Sequence, residues 1–149
     1  MKFTRTLAHA LLGALAASAL IAHAAGPRRP VVVLDERVRV AVDVVDTPAL
    51  RARGLSGRPG LAREEGMLFR FEAPAIQSFW MKDMRFEIDI VWIRDGRIVG
   101  ITPNLPVPKS PRDLPQFASP MPCDLVLEVR AGAAQRWGLL LGDSVRVER

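Results

Sequence analysis

The clearest pattern in the chain is a strict alternation over Arg37–Val45 (RVRVAVDVV). Val38, Val40, Val42 and Val44 project to one side, and Arg37, Arg39, Ala41 and Asp43 to the other. A period of two built on β-branched residues predicts a half-buried strand. Asp124–Arg130 (DLVLEVR) alternates too, with Leu125, Leu127 and Val129 inward and Asp124, Val126, Glu128 and Arg130 on the opposite face. Glu87–Arg94 (EIDIVWIR) is apolar on both faces at its middle, which predicts a central, covered strand. Asp95-Gly96 suits a type I′ hairpin turn, whose two central residues both need positive φ, so Arg97–Thr102 is expected to return antiparallel.

Weaker segments fill in the rest. Val31–Leu34 reads as a short strand or an extended arm, Gly66–Phe71 and Ala75–Met81 as strands, and Ser144–Glu148 as the last strand after the Gly142-Asp143 turn. Thr47-Pro48 predicts a helix start, because the Thr hydroxyl satisfies a free amide and Pro has none to lose. That helix is expected over Pro48–Leu55, with a further turn over Pro59–Glu65; a second short helix is expected over Ala131–Trp137, ended by Gly138. Pro103 to Pro122 carries seven prolines and reads as one long loop, because proline offers no ladder donor. Loops of that length are usually functional or disordered, and a stiff surface crossover is the simpler alternative.

Two short helices cannot provide the crossovers of a doubly wound parallel sheet. The expected fold is therefore mainly β (α+β): an antiparallel, barrel-like sheet with two short helices, closure hiding the edge strands.

The N-terminus changes the composition picture. Lys2 and Arg5 precede the apolar run Leu11–Ala22, and Ala22-His23-Ala24 has the small-x-small form that signal peptidase reads. The run is shorter than the roughly 20 residues a membrane span needs. The expected organisation is a Sec-type signal peptide over residues 1–24, an N-terminal arm over 25–36 and a single β-rich domain over 37–149, the mature protein being periplasmic or secreted with no stable membrane anchor. Cleavage after Ala24 removes Lys2 and Arg5 from the 21 basic residues, leaving 19 against 16 acidic ones, and removes both histidines, His9 and His23. With one cysteine and, if cleaved, no histidine, the mature chain is expected to have no intrachain disulfide, no His-based catalytic unit and no imidazole zinc site. Cys123 reads as a buried thiol between Pro122 and Leu125.

Several motifs in order resemble one family: Arg53-Gly54-Leu55 with Arg58, Gly66-Met67-Leu68-Phe69, Ser78-Phe79-Trp80-Met81-Lys82, Ile88-Asp89-Ile90, Asp95-Gly96, Leu127-Glu128 and Gly138–Val145 (GLLLGDSV). Together they resemble the bacterial and archaeal family named domain of unknown function 192, over about Val38 to Val147. Members typically read Asn-Thr and then Ile-Pro-Leu-Asp after Trp-Met-Lys, where this chain has Asp83-Met84 and Phe86-Glu87-Ile88-Asp89. The resemblance implies a compact β-rich fold, often exported, with no established reaction.

Candidate chemistry is sparse. There is no nucleophile beside a base and no phosphate loop, so the preferred reading is a ligand- or envelope-partner-binding module that needs no cofactor. Trp80 forms the expected pocket floor with Lys82 and Arg85 at its mouth and Arg53 nearby, suited to a small-molecule or anionic envelope ligand. Ser78 and Trp80 share one face and Phe79 and Met81 the other, while Trp92 reads as core and Trp137 as a cover for a barrel end. Export and a modest charge argue against a nucleic-acid partner. Asp89 and Glu128, with Lys82 as electrostatic partner, give an alternative carboxylate-based enzyme, although the parity of Glu128 with Asp124 and Arg130 favours a surface ion pair. Met81, Met84, Met121 and Cys123 give a second alternative, a soft-metal (copper) site, against core packing of the methionines. Arg51, Arg53, Arg58 and Arg63 read as a solvated face of the helix region.

Overall fold

The structure is a computed structural model that describes residues 29–149. The expected export signal over residues 1–24, and residues 25–28 of the expected arm, lie outside the described residues. The chain runs β1 (Val31–Leu34), β2 (Val38–Val45), α1 (Pro48–Arg53), β3 (Glu65–Ala75), β4 (Ser78–Trp80), β5 (Ile88–Arg94), β6 (Arg97–Leu105), β7 (Gln116–Ala118), β8 (Cys123–Arg130), α2 (Ala133–Arg136) and β9 (Val145–Glu148). Seven strands form one sheet in the order β6-β5-β8-β3-β2-β1-β9, and β4 pairs with β7 in a separate ribbon.

The sheet curls until its edge strands approach at one end. Arg97 bridges Ser144, and the Val145 N–H donates to the Gly96 carbonyl at 2.8 Å. The fold is mainly β, as the alternation predicts, with one difference in direction: β2 and β3 are parallel, while the other strand pairs are antiparallel. A parallel pair needs a crossover, and residues 46–64, which include α1, provide it. Val31–Leu34 is a strand of the sheet, lying between β2 and β9.

Two apolar clusters lie on the two faces of the sheet. Val40, Val42, Val91, Ile93, Leu127 and Val129 belong to the inner one, which α2 closes with Ala133 and Ala134. Phe69, Ile88, Ile90, Trp92 and Val126 belong to the second, together with Leu55, Leu61, Met81 and Met84 from the segments laid over that face. Trp92 is core, as expected, and its indole N–H donates to Thr102 Oγ1 at 2.8 Å. Trp137 is half-buried against the inner cluster.

Two sequence expectations change. Ala75–Met81 is not one strand: the β3–β8 register breaks between Arg70 and Ala75, and the chain re-forms as β4 away from the main sheet. Pro74 lies in that break and can donate no ladder bond. Pro103–Pro122 is not one loop either. β6 continues through Pro103 to Leu105, as an edge strand allows, and the proline-free stretch between Pro115 and Pro120 supplies β7.

Candidate functional site

The crossover that makes β2 and β3 parallel also builds one wall of a cleft. Thr47 caps α1 by accepting the Leu50 N–H at 3.3 Å, with Pro48 at the first turn as the sequence predicts. The helix stops at Gly54, whose φ of +48° suits glycine and whose α-carbon packs so close that an added Cβ would meet Phe69 Cζ at 3.3 Å. Beyond it, Ser56 Oγ donates to the Lys82 carbonyl and the Gly57 N–H to the Asp83 carbonyl, each at 2.9 Å. Arg58 pairs with Asp43 at 2.7 Å, anchoring the crossover to β2.

The opposite wall is the β4–β7 ribbon. Its alternation holds: Phe79 points inward, stacking edge-on against Phe69 (centroids 4.8 Å) and Trp92 (5.6 Å), while Trp80 points outward and is 47% exposed. Ser78 Oγ and Gln116 Oε1 join the two strands at 2.9 Å, and the Gln77 N–H donates to Ser119 Oγ at 3.0 Å. Between the walls lies a cleft of about 300 Å³.

Its lining is aromatic, with Phe69, Phe71, Phe79 and Trp80, and Arg51 and Arg53 of α1 border it. Arg51 donates to the carbonyls of Asp46 and Arg70 and lies 5.0 Å over the Phe71 ring, so its guanidinium is held in place. Arg53 is exposed and makes no ion pair among the described residues. The helix arginines are thus divided. Arg51 and Arg58 are structural anchors rather than members of a solvated face.

Glu128 also lines the cleft, and here the parity argument fails. The residue is only 4% exposed and forms no ion pair among the described residues. Its cross-strand neighbours are Met67 on β3 and Ile90 on β5, both in the second cluster. Alternation shows which face a residue shares; it does not show whether a second layer covers that face. Burial alone pushes the Glu128 carboxyl up to about 8.

Asp89 is fully buried and has a different role. Its Oδ1 accepts the N–H groups of Asn104 (2.8 Å) and Gly132 (3.0 Å), and its Oδ2 accepts that of Ala134 (2.9 Å). Gly132 opens α2 without a capping side chain, so Asp89 caps that helix from a strand. Strand register pairs Ile90 with Glu128 and Asp89 with Val129. The two carboxylates therefore project from opposite faces of the sheet and do not converge as an acid–base pair.

The structure thus brings Trp80, Arg53 and Glu128 to one cleft. Trp80 sits at its edge instead of forming its floor. Lys82 lies 5.8 Å from the Trp80 ring and borders a neighbouring hollow beside Pro108 and Leu114. Arg85 is exposed and does not line the cleft. Of the soft-ligand candidates, Met81, Met84 and Cys123 are buried members of the second cluster, whereas Met121 is 42% exposed. Burial pushes the Cys123 thiol up, which opposes the thiolate form that binds metal. Sequence reasoning missed Phe69, Phe71 and Gln116. Only the resemblance motif holding Phe69 could have marked one of them.

The family model described as "Uncharacterized ACR", domain of unknown function 192, matches residues 31–147. The chain belongs to that family. A Novosphingobium aromaticivorans protein of unknown function is 31% identical, over 78% of this chain and 83% of its own, with a TM-score of 0.71. A Sinorhizobium meliloti protein provisionally labelled a transcription regulator is 28% identical, over 79% of this chain and 92% of its own, with a TM-score of 0.70. No curated protein matches the chain. One departure from the family pattern has a simple explanation: Asp83 has a φ of +55°, a conformation that Asn and Asp both tolerate. Met84, in place of the usual Thr, fills the second cluster.

Proposed function

We propose that this family member is an exported binding module, with the cleft between α1 and the β4–β7 ribbon as its site. The observation that carries the reading is the cleft itself: four aromatic side chains around about 300 Å³, with Arg53 exposed and unpaired among the described residues at its border. Such a mix of apolar walls and a few polar groups suits a small organic ligand. The aromatic lining takes a ring or short apolar body, and Arg53 takes an acidic group. An envelope fragment or a free metabolite has the same chemistry here. Export is supported by the charged start, apolar run and Ala22-His23-Ala24 site.

Calorimetric titration with simple aromatic carboxylates tests the reading. Trp80→Ala is expected to weaken binding about tenfold and Arg53→Gln several-fold, the loss of one stacked ring and one charged contact respectively. Binding that both substitutions leave unchanged would place the site elsewhere.

A further inference from the structure

The cleft is lined by a buried acidic group while Arg53 at its border is basic and exposed, and the two form no ion pair among the described residues. Glu128 is 4% exposed, lines the cleft and has no hydrogen-bond donor from the protein among the described residues. Its neighbours across the sheet, Met67 and Ile90, offer no side-chain donor. The segments packed over that face contribute Leu55, Phe79 and Met84 to the lining. Among the described residues, the other titratable side chains lining the cleft are Arg51 and Arg53. Neither forms an ion pair with Glu128 among the described residues, and Arg51 is committed to the carbonyls of Asp46 and Arg70.

A buried polar group normally has a partner, and this one faces an open cleft. An ammonium group answers both features of the inner cleft. It pairs with the carboxylate where the dielectric is low, and it is attracted to the negative faces of the surrounding rings. The border favours the opposite charge. Building on the binding role proposed above, we infer that the cleft takes a small zwitterion, with an amino group against Glu128, an acidic group at Arg53, and a ring or short apolar chain between them.

Entry of the ammonium has a definite proton balance. Burial pushes the Glu128 carboxyl up to about 8, so it is mainly protonated at pH 7; pairing with an ammonium requires the carboxylate, so close to one proton leaves for solvent with each ligand bound. Three probes that share a benzoate body separate the possibilities: 4-(aminomethyl)benzoate, 4-(hydroxymethyl)benzoate and 4-methylbenzoate. Titration calorimetry at pH 7 in two buffers of different ionisation enthalpy gives the affinity and the proton count. The amino probe is expected to bind at least about tenfold tighter than the methyl probe, equivalent to one paired charge, and to release close to one proton. Glu128→Gln should abolish both the advantage of the amino probe over the methyl probe and the proton release. The wild-type proton count stands whatever happens to the variant's fold.

If the methyl probe binds and the amino probe gains nothing, the zwitterion inference falls and the binding role stands. A hydroxymethyl probe that equals the amino probe without proton release also overturns it, by making Glu128 a neutral partner. If none of the three binds, the binding role falls and takes the inference with it.

Discussion

Asp89 accepts three main-chain N–H groups from segments far apart in sequence, in a strand where it is flanked by the buried apolar residues Ile88 and Ile90–Ile93. Hydrogen bonds to a charged acceptor contribute about 1.5–3 kcal/mol each, and a donor left unsatisfied in the interior costs about as much again. Asp89→Ala is therefore expected to lower the stability by about 3 kcal/mol or more, measured by urea unfolding. Asp89→Asn should lose less, since one amide oxygen can still accept. A loss under about 1 kcal/mol for the alanine variant would show that α2 and the end of β6 are held by other contacts.

Glu128 gives the opposite pH signature from an ion-paired acid. Its carboxyl is raised from 4.5 to about 8 in the folded chain, so above pH 4.5 the unfolded state releases a proton that the native state keeps. The unfolded state then binds fewer protons, and stability falls as the pH rises from about 4.5 to about 8, after which this contribution levels off. Urea unfolding across that range should show the slope, and Glu128→Gln should remove the part owed to this residue. An unchanged slope in the variant would mean that Glu128 ionises normally in the fold.

Among the elements, those with local causes were legible. β2 and β8 follow from alternation, β5 from a middle that is apolar on both faces, the β5–β6 turn from Asp95-Gly96, both of whose φ angles are positive, and the start of α1 from Thr47-Pro48. Elements decided by what lies over them were not. The parallel placement of β3 beside β2 depends on a crossover whose six-residue helix is too short to announce one. The break after Arg70 and the pairing of β4 with β7 join segments about forty residues apart, across a stretch whose prolines conceal three strand-competent positions. The candidate site was partly legible for the same reason. Trp80 and Arg53 could be singled out as residue types, but the face shared by Arg53, Phe69 and Glu128 exists only after the crossover is laid on the sheet.

For the whole molecule, the sheet is self-contained from Val31 onward, because β1 sits between β2 and β9 and the edge strands meet at Arg97 and Ser144. Removal of residues 1–24 would therefore leave every described strand intact. The mature protein is expected to begin at Ala25 and to be recovered from the extracytoplasmic fraction. N-terminal sequencing of protein purified from its native host, with cell fractionation, checks both. A chain that retains Met1 in the cytoplasm would overturn the export reading.

Period-two patterns and turn residues act over a few neighbouring positions, so the sequence by itself determined the β class, most strand positions, the hairpin turn and the helix cap. Burial depends on which distant segment arrives to cover a face, and that is settled only when the chain is assembled. Tertiary structure alone therefore decided that Asp89 is a buried cap, that Glu128 is a buried acid lining the same cleft as four aromatic rings, and that the two carboxylates face apart.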